Sequence, residues 1–170
     1  MNQDALWRIL GLCGVLPKLI YLMSDLYSGT ESAVRCRGTI SDLFPVVAGV
    51  CQGCVLAPTL FSTCMDWILG RMSKRSSSGT SIENVKISDL DFADDVVIFV
   101  QTSDILLGAL EVLNEESEPL GLWVSWVKTK IQAFNDILDA AVLSVPVCGE
   151  DVDVVERFTY LGSDIHVSAG

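Results

Sequence analysis

Apolar residues recur along this chain in helical spacing, in dense strand-like runs, and in stretches with no period at all. Leu6, Ile9 and Leu10 share one face of a short predicted helix, ALWRILGLCG, with Asp4 placed to cap it and Gly14 to stop it. Pro17 suits the first turn of a second helix, KLIYLMSDLYSG, closed by Gly29. The broadest stripe begins at Pro58. There Leu60, Phe61, Cys64, Met65, Ile68, Leu69 and Met72 return every three or four residues, the pattern of a helix packed on a core. Thr102 or Ser103 caps a fourth helix, DILLGALEVLNEESE, which stops before Pro119 and Gly121. Its Glu111, Glu115, Glu116 and Glu118 read as a solvated face.

Strand-like runs fill much of the remainder. ESAVRCRG and ISDLFPVV read as paired short strands around Gly38 and Thr39. VKISDLDF and VVIFV form the two arms of a hairpin, LWVSWVKTKIQAF alternates in part, and RFTYLGSDI supplies a last strand and turn. Two stretches obey neither period: the glycine-bearing loop AGVCQGCVLAP and the polar loop KRSSSGTS. Helices interleaved with hairpins predict an α+β fold with a mainly antiparallel sheet and helices packed on one face, in a single domain over residues 1–170.

Composition adds constraints to this picture. Half of the 170 residues are hydrophobic, which excludes an intrinsically disordered chain despite a net charge of −11. The charge is uneven. Residues 1–86 carry eight Lys/Arg and six Asp/Glu, whereas residues 87–170 carry three and sixteen. An acidic chain is a poor general-purpose nucleic-acid binder, because phosphate binding draws on Lys and Arg. The uncharged run 43–65 has the length of a membrane span, but Pro45, Gly49, Gln52, Gly53 and Pro58 interrupt it, so no membrane role is expected. With no secretory signal pattern, the protein is expected to be intracellular and its six cysteines reduced. Cys51 and Cys54 form a C-x-x-C, a weak metal or redox signal: a structural zinc site takes about four ligands, and redox use requires a lowered thiol pKa.

The stretch that ordinary folding does not explain is DFADDVVIFV, residues 91–100. Asp is disfavoured in strands, yet Asp94 and Asp95 stand side by side between two strand-like runs. Neighbouring residues of a strand face opposite sides, so two adjacent carboxylates share a site only where a turn breaks the alternation. Their mutual repulsion is relieved by a cation, and the hard, oxygen-preferring Mg²⁺ suits them, with substrate phosphates completing its shell. Such a pair fits metal-assisted phosphoryl transfer. The plainer reading is a solvated turn.

Phe92–Asp95, FADD, inside a strand-turn-strand resembles the metal-binding box of reverse transcriptases, in particular those of non-long-terminal-repeat retrotransposons of the long interspersed element type. Three further segments match in order. GVCQGCVLAPTLF (49–61) resembles the glycine loop and helix that contact nucleotide and template, PLGLWVSWVKTK (119–130) the lysine segment, and FTYLGSDI (158–165) the primer grip. The resemblance implies a polymerase palm, with Asp94 as principal metal ligand, Asp95 as its partner, and Phe92 and Ala93 setting the turn. It implies Gln52 and Gly53 on the nucleotide and template side, and Lys128, ahead of Lys130, beside the leaving group. Leu161 and Gly162 fall in the primer grip. Mg²⁺ is the implied cofactor; RNA template, DNA primer and dNTP are the implied partners.

Two departures temper the activity that the resemblance implies. The family places another aspartate on a strand upstream of the segment resembling DALWRIL, and this chain has only three residues before Asp4; the expectation is therefore an N-terminally truncated palm, inactive by itself. Cys51 stands where the family has Arg, which removes a cation from the nucleotide side. The alternative expectation is a non-catalytic interaction module that binds a protein partner through exposed apolar palm surface.

Overall fold

The computed structural model describes residues 1–82, 84–134 and 142–167, which gather into two compact units. The first comprises Met1–Ile68 with Glu118–Leu122, the second Leu69–Ser117 with Trp123–Gly170.

In the first unit, helices α1 (Gln3–Leu12) and α2 (Pro17–Tyr27) pack together, and Leu6, Ile9 and Leu10 are buried as their spacing predicts. The cap of α1 differs from the expectation. Asn2, in extended backbone, accepts the Ala5 N–H on Oδ1 at 3.1 Å, while Asp4 lies in the first turn, where its charge complements the helix dipole. Pro17 occupies the start of α2, and Trp7 meets Tyr27 with ring centroids 5.8 Å apart. Leu19, Leu22 and Leu26, a stripe along α2, stay exposed.

Short ladders follow. β1 (Glu31–Ser32) pairs antiparallel with β4 (Phe44–Pro45), and β2 (Arg35–Cys36) with β3 (Thr39–Ile40). The predicted pairing holds, but its turn is Arg37–Gly38, one residue earlier than expected; φ is positive at both positions, 49° and 87°. Helix α3 (Ala57–Ser76) then buries Leu60, Cys64, Ile68, Leu69 and Met72, the stripe that the sequence sets out. The uncharged run 43–65 is thus divided between β4, a loop and α3. No helix among the described residues is long and apolar enough to cross a membrane.

The second unit is built from hairpins. β5 (Thr80–Ile82) pairs with β6 (Val85–Ile87), and β7 (Asp89–Phe92) with β8 (Asp95–Ile98). Helix α4 (Ser103–Ser117) is capped by Thr102, whose Oγ1 accepts the Ile105 N–H. β9 (Lys130–Ile131) runs parallel to β11 (Glu150–Val154), which is antiparallel to β10 (Ser144–Val147). α4 packs against β10, with Leu110, Leu113, Val147 and Val152 buried. β12 (Arg157–Tyr160) and β13 (Ser163–His166) close the chain as a hairpin.

The α+β class therefore stands. The expected sheet is replaced, among the described residues, by small separate ladders, all antiparallel except β9–β11. The strand predicted over LWVSWVKTKIQAF shrinks to β9. Residues 125–129 form a helical turn on the Ser125 carbonyl, and Trp123 and Val127 face solvent, 75% and 83% exposed. The β10–β11 hairpin was not anticipated.

Nor is the glutamate face of α4 simply solvated. Glu116 is half-buried and accepts from Arg71 Nε and Arg75 Nη1, each at 2.6 Å, while Arg75 Nη2 also donates to Glu115 at 2.7 Å. Burial pushes the Glu116 carboxyl up, and the two guanidiniums pull it down further, leaving it below the ordinary glutamate value. A carboxyl lowered on folding contributes stability that is fully present above its unfolded pKa of about 4.3 and is lost as pH falls through the folded value. Glu116→Gln is therefore expected to flatten the acid limb of a stability–pH profile measured by urea unfolding. At neutral pH its cost should be about 0.5–1 kcal/mol, since both arginines are partly exposed.

Candidate functional site

The aspartate pair owes its position to one turn. Phe92 pairs with Asp95, so Ala93 and Asp94 form a two-residue hairpin loop between β7 and β8. Ala93 has φ +57°, and Asp94 is not in the left-handed region. That is the pattern of a type II′ turn, whose twist matches paired strands but whose first position ordinarily takes glycine. Backbone strain is thus held at the residue beside the carboxylates. Ladder hydrogen bonds on both sides fix the turn, and both Asp94 and Asp95 are exposed at its tip. Phe92, 65% exposed, lies on the same face as Asp95, because directly paired residues share a face; Asp91, paired with Val96, takes the other.

A second hairpin approaches the first. The Tyr160 hydroxyl reaches the Asp95 carbonyl oxygen at 3.5 Å. Tyr160 ends β12, and Leu161 and Gly162 form the following turn with φ of +48° and +81°. Arg157 and Thr159 both donate to Asp164 across this hairpin, and with the Thr159 hydroxyl foremost they hold the Asp164 carboxyl below its usual range. The structure thus brings the segment carrying Leu161 and Gly162 to the aspartate hairpin through Tyr160, a residue that sequence reasoning did not single out.

The two candidate lysines differ in engagement. Lys130 Nζ donates to Asp153 at 2.6 Å and to the Val127 carbonyl at 3.1 Å, so it serves the β9–β11 ladder. Lys128 is exposed, and its ammonium makes no hydrogen bond or ion pair among the described residues.

Gln52 and Gly53 lie in the first unit, as the central residues of a turn closed by the Cys54 N–H on the Cys51 carbonyl at 3.0 Å. Gly53 has φ +87°, and a β-carbon there would meet nothing within 4 Å. Conformation, not crowding, therefore calls for glycine at this position. Both residues are exposed.

The donor set can be tested against Mg²⁺. Asp94 and Asp95 offer hard oxygen ligands at an exposed tip, and among the described residues no group of three or more His, Cys, Asp or Glu gathers to hold a metal. Two carboxylates, with phosphates and water supplying the rest, fit Mg²⁺ and do not amount to a closed protein cage.

Residues 2–165 match the family described as Reverse transcriptase (RNA-dependent DNA polymerase). Over 102 residues the chain is 28% identical to the Retrovirus-related Pol polyprotein from type-2 retrotransposable element R2DM of Drosophila melanogaster. That alignment covers 60% of this chain and 10% of the relative.

Proposed function

Because the chain belongs to the reverse transcriptase family, of the non-LTR retrotransposon type, we propose that its β7–β8 hairpin carries metal-holding carboxylates of an RNA-directed DNA polymerase. The observation that supports this most is the strained two-residue turn that sets Asp94 and Asp95 together in solvent, beside a second hairpin.

In the proposed reaction, a primer 3′-hydroxyl oxygen attacks the α-phosphorus of a dNTP, the bond from that phosphorus to the bridging oxygen breaks, pyrophosphate leaves, and the hydroxyl proton passes to water. Asp94 and Asp95 would hold Mg²⁺, which when bound supplies charge neutralisation at the attacking and leaving oxygens. Ala93 and Phe92 fix the turn beneath the primer end. Lys128 would assist the leaving pyrophosphate, as the family resemblance implies, since Lys130 is committed to Asp153. The family resemblance assigns Leu161 and Gly162 to the primer, and Gln52 and Gly53 to nucleotide and template. RNA template, DNA primer and dNTP are the proposed partners.

The test is a Mg²⁺-supported extension assay on a DNA-primed RNA template, with dTTP binding measured alongside, on wild type and Asp94→Asn. Since no third carboxylate gathers with Asp94 and Asp95 among the described residues, extension by the isolated chain is expected to stay at the Asp94→Asn level. Extension well above that level would show that the pair suffices. Binding of dTTP that depends on Mg²⁺ and on Asp94 supports the function; binding indifferent to both contradicts it.

The exposed Leu19, Leu22 and Leu26 stripe favours a second reading, a non-catalytic module that binds a protein partner. A monodisperse monomer that fails to bind an apolar dye would count against it.

A further inference from the structure

Cys51 and Cys54 are the outer residues of the glycine-loop turn. A turn closed by its main-chain hydrogen bond holds its outer Cα atoms within about 7 Å, and a disulfide spans Cα separations of about 4.4–6.8 Å. Both side chains are half-exposed, so a small reagent reaches them. Cys54 also stands at the start of α3: its carbonyl accepts the Ala57 N–H at 3.1 Å, and main-chain N–H groups of Leu56 and Ala57 face its sulfur.

An independent observation comes from α2. Tyr27 is 4% exposed, and its hydroxyl is buried without a hydrogen-bond partner among the described residues. What that hydroxyl faces is the Cys54 sulfur and the Cys51 main chain. A buried, unpaired hydroxyl is costly, and a thiolate at Cys54 would give it a strong acceptor. The buried Tyr27 hydroxyl and the N–H groups at the start of α3 thus lie around one sulfur, and the hydroxyl is unpaired while Cys54 is a neutral thiol.

We propose that Cys51 and Cys54 form a reversible redox pair, with Cys54 the attacking sulfur and Cys51 the resolving one, oxidised by small disulfides such as oxidised glutathione. The Leu56 N–H draws the Cys54 thiol below its ordinary range, burial opposes this, and Tyr27 and the Ala57 N–H add to the lowering. The Tyr27 hydroxyl is itself pushed up, mainly by burial, so it remains a donor. Cys64, by contrast, is pushed up to about 11 by burial, and Cys148 is raised by burial and by Glu111 and Glu115.

The exchange has two steps. The Cys54 thiolate attacks one sulfur of the glutathione disulfide, whose S–S bond breaks, and the departing glutathione thiolate takes up the proton that Cys54 lost. The Cys51 thiol then gives up its proton and attacks the Cys54 sulfur, releasing the second glutathione. Two protein thiols become one disulfide, and one glutathione disulfide becomes two glutathiones. This chemistry holds whether or not the chain polymerises DNA.

The test is peptide mapping by mass spectrometry of the full chain, after iodoacetamide pulses across pH and after incubation with oxidised glutathione. Cys54 is expected to alkylate severalfold faster than Cys148 at neutral pH, since a lowered thiol pKa raises the thiolate fraction more than it weakens the nucleophile. A Cys51–Cys54 linked peptide should appear and vanish with dithiothreitol. Cys51→Ser should trap glutathione on Cys54, and Tyr27→Phe should raise the pH midpoint of Cys54 alkylation. Alkylation of Cys54 at the rate of Cys148 would overturn the proposal. So would glutathione adducts on the exposed Cys13 and Cys36 without a linked peptide.

Discussion

Asp94→Asn is expected to weaken binding of Mn²⁺, used as a stand-in for Mg²⁺, at least about tenfold, a loss of roughly 1.4 kcal/mol. The exchange removes one charge and one strong acceptor while conserving shape, and asparagine tolerates turns as well as aspartate does, so the hairpin should survive. Asp95→Asn should cost less, since the family resemblance gives Asp95 the secondary role. Asp91→Asn is the control: it removes the same charge from the opposite face of β7 and should change affinity less than twofold. Calorimetry at low ionic strength reads all three, because salt screens exposed carboxylates. Equal losses for Asp91→Asn and Asp94→Asn would reduce the pair to part of a diffuse acidic surface.

Leu6→Ala is expected to destabilise the protein by about 3 kcal/mol. Leu6 is fully buried on α1, within the core that α1 forms with α2, and truncation removes transfer free energy and leaves a cavity. Against a total stability of about 5–15 kcal/mol this is a large fraction, and it should lower the unfolding midpoint by roughly 6–12 °C. Thermal unfolding by circular dichroism provides the measurement. A drop under about 2 °C would mean that the first unit repacks around the smaller side chain or contributes little to the cooperative transition.

What the sequence made legible was local. Helical periodicity located α1 and α3, because a buried stripe such as Leu60, Cys64, Ile68 and Met72 leaves a repeating mark, while Pro17, Gly29 and Thr102 marked the ends of α2 and α4. The aspartate hairpin was legible for the same reason: strand-like runs flank two residues that strands reject. What escaped depends on partners distant in sequence. Glu116 looked like one more solvated glutamate, because Arg71 and Arg75 lie more than 40 residues upstream. Tyr160 showed no sign of reaching Asp95, 65 residues away. The cysteine pair gave a weak signal until Tyr27 was seen to face Cys54.

The β10–β11 hairpin is a different failure. Pro146 and a run of acidic residues argue against a strand, whereas Cys148–Gly149, with φ of +50° and +84°, is the turn signal that should have outweighed them. In LWVSWVKTKIQAF the error ran the other way. Trp123 and Val127 looked like strand positions, yet they are exposed beside a helical turn, because partial alternation without a partner strand does not make a ladder.

The central claim is that Asp94 and Asp95 form one metal-holding site at the tip of a hairpin. The most direct measurement is a sub-stoichiometric Mn²⁺ titration of the isotope-labelled chain, with amide resonances read for paramagnetic broadening. The account predicts that Phe92, Ala93, Asp94 and Asp95 broaden first and together, followed by Tyr160. Broadening that begins instead at Glu150, Asp151 and Asp153, with residues 92–95 unaffected, would contradict it.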